Sequence, residues 1–231
     1  MTRTPDPIIT NEDGSVAQIV RDGTVHHESV TLEPANQIVS TYFKMAAGNL
    51  AGMKDADGEL RRHRGLQAFL TSLTGVEAFT NIFFQQLALE RNHPELLTVV
   101  SKQSGPLVKR IEKCLTVAFA DPLPAQDALM QRIGRLYGLR NNIVHPRWEP
   151  TSICLVGDVS IAISGLAQNF QVVFENEEFC RETFWWCVKL VAEVGRAAGN
   201  TVIESHCFHW TGIYGLTDER LSEYLSLAES Y

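Results

Sequence analysis

The stretch "GLRNNIVHPRW", residues 138 to 148, gathers Arg140, Asn141, Asn142 and His145 at the end of an otherwise apolar helical pattern, with Pro146 directly behind the histidine. Histidine titrates near neutrality and arginine can clamp a phosphate through two parallel hydrogen bonds, so these residue types suit proton transfer beside a phosphate. Stepping about 100° per residue puts Leu129, Ile133, Leu136, Leu139, Ile143 and Val144 on one broad apolar face, expected to point into the core, and Arg140 falls inside it. A guanidinium in that position needs a carboxylate, a carbonyl cluster or a ligand phosphate, because an unpaired buried charge is costly. Glu77, the acidic residue in the heart of an earlier apolar helix, is the candidate partner. Asn141 and His145, four apart, share the other face, and Pro146 biases His145 out of helical geometry, so the helix is expected to end there.

Local charge points the same way. The chain carries a net charge of -7, so it is not a general attractor for nucleic acid or anionic membrane. Between residues 102 and 147, however, Lys102, Lys109, Arg110, Lys113, Arg132, Arg135, Arg140 and Arg147 face only Glu112, Asp121 and Asp127. The motif and a basic segment coincide, and Arg132, Arg135 and Arg147 are the candidates for contacting RNA phosphates. "LRRHRG" at residues 60 to 65 is a second basic run, read as a solvated helix start rather than an RNA contact.

The elements that must hold these residues are mostly helical. Val, Ile and Thr around "RDGT" read residues 1–34 as an extended arm or hairpin. From Ala35 the spacing turns helical, with Ile38, Tyr42, Met45 and Leu50 near one face. Residues 60 to 92 form the longest periodic stretch, in which Leu66, Phe69, Leu73, Val76, Phe79, Phe83 and Leu87 recur at three and four. Pro94 and Pro106 each open a further helix, residues 126 to about 144 carry the motif, and residues 177 to 199 return to helix with Gly199 as the stop. The β-branched, Gly-punctuated stretch at about 150–175 reads as a β-hairpin, and residues 201–231 as a loop followed by a short helix. The expected fold is therefore mainly α, an up-and-down helical bundle over residues 35–200 with short β additions at the N-terminus and around 150–175.

With Arg140-Asn141, three intervening residues and His145 on a late helix of a helical chain, the sequence resembles the HEPN superfamily (higher eukaryotes and prokaryotes nucleotide-binding) and its Arg-Asn-x-x-x-His signature. The resemblance covers roughly residues 35 to 146 plus 177 to 199. "VEAFTN", with Glu77 and Asn81 one turn apart, is similar to the Glu-containing helix that precedes the motif in several branches. The resemblance implies a homodimer in which two motifs face each other, and metal-independent endoribonuclease activity of the kind found in defence and toxin-antitoxin systems, with an antitoxin protein among the implied partners. It also implies roles: His145 as general acid or base, Arg140 stabilising charge on the phosphoryl oxygens, Asn141 orienting the phosphate or imidazole, Glu77 and Asn81 in support. The alternative within the same family is a non-catalytic module that binds RNA, a nucleotide or a protein. The N-terminal arm and the 150–175 segment depart from the minimal bundle, so no branch is assigned.

Other classes find no support. The five cysteines, Cys114, Cys154, Cys180, Cys187 and Cys207, are odd in number and include no CxxC pair, which argues against a disulfide framework and a zinc ribbon and for a reducing, cytoplasmic setting. "SHCFHW" crowds His206, Cys207 and His209 too closely for one ion, and reads as a loop packing Phe208 and Trp210. Trp185 and Trp186 are read as core and interface, not as base-stacking platforms. No Gly-rich phosphate loop, GxSxG, HExxH or paired-carboxylate pattern is present, and no cofactor or metal is expected. The N-terminal sequence lacks a basic region followed by an apolar run, and no stretch approaches a membrane span, so no targeting or anchoring is expected.

Overall fold

Apolar residues recurring at three and four from Leu66 to Leu87 produce the element around which the helices assemble. The computed structural model describes residues 8–10, 16–21, 24–26, 36–102, 105–145, 173–199 and 209–213. The chain divides into two compact units, Met1–Ala35 and Asn36–Tyr231. In the first, three short strands, β1 (Ile8–Thr10), β2 (Val16–Arg21) and β3 (Thr24–His26), pair antiparallel in the order β1-β2-β3. Ile19 stands opposite Ile8 on one side and His26 on the other, and the β1–β2 register shifts between Ile9 and Thr10.

The described part of the second unit is mostly helical: α1 (Asn36–Met53), α2 (Gly58–Glu90), α3 (Pro94–Ser101), α4 (Leu107–Ala118), α5 (Gln126–Val144) and α6 (Glu177–Ala197). The long α2 packs against all five others. Its buried stripe includes Phe69, Leu73, Val76, Phe79, Phe83 and Leu87, as the spacing predicts. Helix ends follow local chemistry. Pro94 occupies the first turn of α3, where His93 Nδ1 accepts from the Leu96 N–H at 3.3 Å. Asn176 caps α6 by accepting from the Phe179 N–H at 3.2 Å, Glu177 and Glu178 fill its first turn, and Gly199 follows it at φ +100°.

Two glycines are set by close approach. At Gly75 a Cβ would stand 2.9 Å from the ring of Phe43, which lets α1 lie close on α2, and at Gly65 it would run into the Phe174 carbonyl oxygen. The aromatic core continues through Phe43 against Phe184 and through Trp210, whose ring centroid lies 5.3 Å from Phe79 and 5.6 Å from Phe83. Trp185 and Trp186 are buried in the continuous run from Thr183 to Gly195 of α6. No described helix is long and apolar enough to cross a membrane.

The structure corrects several expectations. The inward face of α1 is Val39, Phe43, Ala46, Leu50 and Met53, while Ile38 and Met45 are exposed; α1 carries apolar residues on two sides, and the partner helix, not periodicity, selects one. Val144, placed inward on the wheel, is 43% exposed because the last turn of α5 runs past the core. The "LRRHRG" run is not a free solvated surface. Arg61 donates to the Met53 carbonyl at 3.2 Å and the Glu175 carbonyl at 2.9 Å, Arg64 to the Gly52 carbonyl, and Arg62 pairs with Glu175 at 2.7 Å. Three arginines thus satisfy the last carbonyls of α1, the Glu175 carbonyl and the Glu175 carboxylate. The hairpin expected at about 150–175 lies almost wholly outside the described residues, and Val173–Glu175 at its end are helical. The expected C-terminal helix also lies outside them.

Candidate functional site

The motif helix ends as Pro146 requires. α5 stops at Val144, and His145 leaves helical geometry at φ -124°, ψ 66°, while its N–H still bonds the Asn141 carbonyl at 2.8 Å. The residue is exposed just past the helix end. One turn earlier, Arg140 leaves the apolar face toward α2, where its Nη2 lies 3.7 Å from Glu77 Oε2. The side chains are 24% and 39% exposed, so water screens the pair and its net contribution to stability is small. Its function is geometric: the guanidinium is fixed between a carboxylate and the face of Tyr137, 5.8 Å from that ring's centroid.

Glu77, Tyr137 and Arg140 open onto a cleft of about 550 Å³ formed by α2, α5 and the start of α4. On α5 the lining comes from Gly134, Tyr137, Gly138 and Asn141, which share one side of the helix at spacings of three and four, together with Arg140. From the α4 end come Gly105 to Arg110 and Glu112, and from α2 comes Glu77. The Tyr137 hydroxyl donates to the Leu73 carbonyl of α2, which anchors α5 behind the cleft. Burial, followed by Cys187 and Glu77, pushes the Tyr137 pKa well up against the opposing pull of Arg140 and Arg110, so the phenol stays protonated and acts as a structural donor.

Electrostatically the cleft is asymmetric. Arg110 is only 9% exposed, and its Nε is sealed from water with no acceptor among the described residues. Arg140 Nε is sealed in the same way. Lys109 adds an exposed cation at the rim, and Glu77 and Glu112 supply the opposing carboxylates.

The expected site residues therefore separate. Glu77, Arg140 and Asn141 meet at the cleft, but His145 is not among the residues lining it. Asn81 sits one turn along α2 from Glu77, outside the lining, with its Oδ1 buried and lacking a donor among the described residues. Arg132 is engaged elsewhere, paired with Glu182 of α6, which also accepts from Trp186 Nε1 at 3.2 Å. Arg135 is exposed on α5, and Arg147 lies outside the described residues. Among the described residues no group of three His, Cys, Asp or Glu side chains could hold a metal ion. The buried thiols are inert: burial raises Cys114 to about 11 against the pull of Arg110 and Lys113, and Cys180 to about 12.

In the sequence Arg110 reads only as one cation of the basic segment. The signal that singled out Arg140, a guanidinium inside or at the edge of an apolar face, was present in "PLVKRIEKCL", where Arg110 directly precedes Ile111 and stands one turn before Cys114. Comparison of the chain with family models, with curated proteins and with solved structures finds no match.

Proposed function

We propose that this chain is a HEPN-like, metal-independent endoribonuclease whose cleaving site is completed in a homodimer by two copies of the α5 terminus. The reading rests on one observation: Arg140 and Asn141 face a cationic cleft while His145, one turn on, is exposed at the end of the same helix. In the proposed reaction a base removes the ribose 2′-hydroxyl proton and the oxygen attacks the adjacent phosphorus. The 5′-oxygen of the next nucleotide leaves with a proton from an acid, giving a 2′,3′-cyclic phosphate and a 5′-hydroxyl. His145 of one copy serves as base and that of the other as acid, Arg140 neutralises charge developing on the non-bridging oxygens, and Asn141 orients the phosphate. Glu77 sets the guanidinium. The up-and-down bundle, a cytoplasmic setting, a role in defence or toxin-antitoxin function and an antitoxin partner belong to this same reading.

A second reading has its own observation. Within one chain His145 does not line the cleft, so the cleft alone supports binding of RNA, a nucleotide or a protein without cutting. The two separate in one assay with a single-stranded RNA in excess chelator, beside the same sequence carrying 2′-deoxyribose at every position. The ribonuclease reading expects the RNA to be cut to cyclic-phosphate ends and the deoxy strand to stay whole. Retention of the RNA without cutting, at any protein concentration that forms dimers, supports the binding module, and cleavage of both strands rejects the 2′-hydroxyl chemistry.

A further inference from the structure

Arg110 is not explained by the motif. It lies on α4, away from the Arg140–His145 segment, is nine-tenths buried, and makes no hydrogen bond or ion pair through its side chain among the described residues. A buried Nε without an acceptor is unfavourable, and an anion seated in the cleft would give this guanidinium the partner the chain does not supply. Arg110 lines the cleft and sits in the first turns of a helix of 12 residues. That helix begins at Leu107, and its N-cap Pro106 offers no side-chain acceptor, so its dipole and first N–H groups add to the attraction for negative charge. The sealed Nε of Arg140 borders the same space.

The cleft also has room. Gly134 and Gly138 lie mid-helix on its α5 wall, where glycine is unfavourable relative to alanine. A Cβ at Gly138 would meet nothing within 4 Å, and one at Gly134 would meet only Val108 at 3.9 Å. Packing therefore does not require these glycines. They leave backbone uncovered in a space of about 550 Å³, within the usual range of small-ligand sites.

We propose that the cleft between α4 and α5 is a phosphate-binding site, with Arg110 as its principal ligand and Arg140 and the α4 N-terminus completing it. A tetrahedral dianion or diester suits the arrangement: a guanidinium presents parallel N–H donors to two phosphate oxygens, and the helix end offers backbone N–H groups to a third. Glu77 is occupied with Arg140, and the exposed Lys109 offsets Glu112 at the rim. The site shares Arg140 and Asn141 with the ribonuclease reading and deepens it by giving the RNA phosphate a second anchor. It stands on Arg110, which takes no step in the cleavage chemistry.

The test is calorimetric titration of the full chain in low-salt, phosphate-free buffer, with inorganic phosphate and separately with a short single-stranded oligoribonucleotide lacking terminal phosphates. Arg110→Gln should weaken binding by about tenfold to a hundredfold, the equivalent of one lost charge-assisted hydrogen-bonding group. Gly138→Leu, which fills the cleft without removing a charge, should weaken it as well, and circular dichroism of each variant checks the fold. Binding of both probes identifies the site with phosphate in general, and binding of the oligoribonucleotide alone identifies it with the RNA backbone. Unchanged binding in Arg110→Gln, or no binding of either probe by wild type, overturns the proposal. Arg110-dependent binding without any RNA cleavage leaves it standing while rejecting the ribonuclease reading, and cleavage with Arg110-independent binding does the reverse.

Discussion

Replacing Arg110 by methionine should make the ligand-free protein more stable. Arg110 is 9% exposed, and its Nε is buried with no acceptor among the described residues. A buried donor left without a partner costs about 1–3 kcal/mol, and replacing desolvated charge with apolar side chains of similar volume has been neutral or stabilising by roughly 1–4 kcal/mol. Methionine has nearly the same reach, no charge and enough flexibility to fill the space beside Ile111 and Cys114. Because part of the guanidinium still touches water at the cleft, the lower end applies, a gain of about 1–2 kcal/mol. At ~2–4 °C per kcal/mol for a chain of this size, Tm should rise by roughly 2–8 °C. Urea unfolding followed by tryptophan fluorescence in phosphate-free buffer reads this directly, with the midpoint moving up and the slope unchanged. Added phosphate should narrow the gap, since it binds only the wild-type fold tightly. A loss of several kcal/mol on Arg110→Met would refute the reasoning, because it would mean that the guanidinium already has a counter-ion within the chain.

Three other outcomes follow from the packing and charge. Phe43→Ala removes a fully buried ring that seats α1 over Gly75 and against Phe184, and should cost about 3–5 kcal/mol in denaturant unfolding. Glu77→Gln should change stability by less than ~1 kcal/mol, since the pair is partly exposed, yet reduce RNA cleavage by roughly tenfold or more by releasing Arg140. For Cys114 and Cys180 the folded thiol pKa lies above its ordinary value of 9.0, so the folded state holds these protons longer than the unfolded chain. Their stabilisation is complete below about pH 9 and is lost as pH rises toward about 11 for Cys114 and about 12 for Cys180, which unfolding midpoints across that range would record.

The helices were legible wherever a strong period met a start or stop residue. Pro94, Pro106, Gly199 and Pro146 mark ends that the structure keeps within a residue or two, and the α2 stripe follows the spacing of its leucines and phenylalanines. The Arg140–Glu77 pair was legible too, because a cation on an apolar face requires a counter-charge and α2 offered one carboxylate at its centre. What a single sequence does not carry is which of two apolar sides a helix buries. Ile38 and Met45 alternate along α1 with Val39, Phe43 and Ala46, and the contact with Gly75 decides between them. Nor does composition show that Arg61, Arg62 and Arg64 are consumed by the Met53, Gly52 and Glu175 groups, since those contacts join distant segments. Arg110 was hidden for the same reason: its burial arises only where α4 packs with α2, α3 and α5.

The central claim is that His145 transfers a proton during RNA cleavage at a site anchored by Arg140. The most direct measurement is the single-turnover cleavage rate of one defined RNA in excess chelator by wild type and by His145→Ala, with equal dimer content and equal circular dichroism. His145 is exposed and makes no side-chain contact that the fold depends on among the described residues, so the variant should fold as wild type does. The account predicts a rate lower by about 10² to 10⁴, the range of a lost general acid-base group. Equal rates for the two proteins would contradict it.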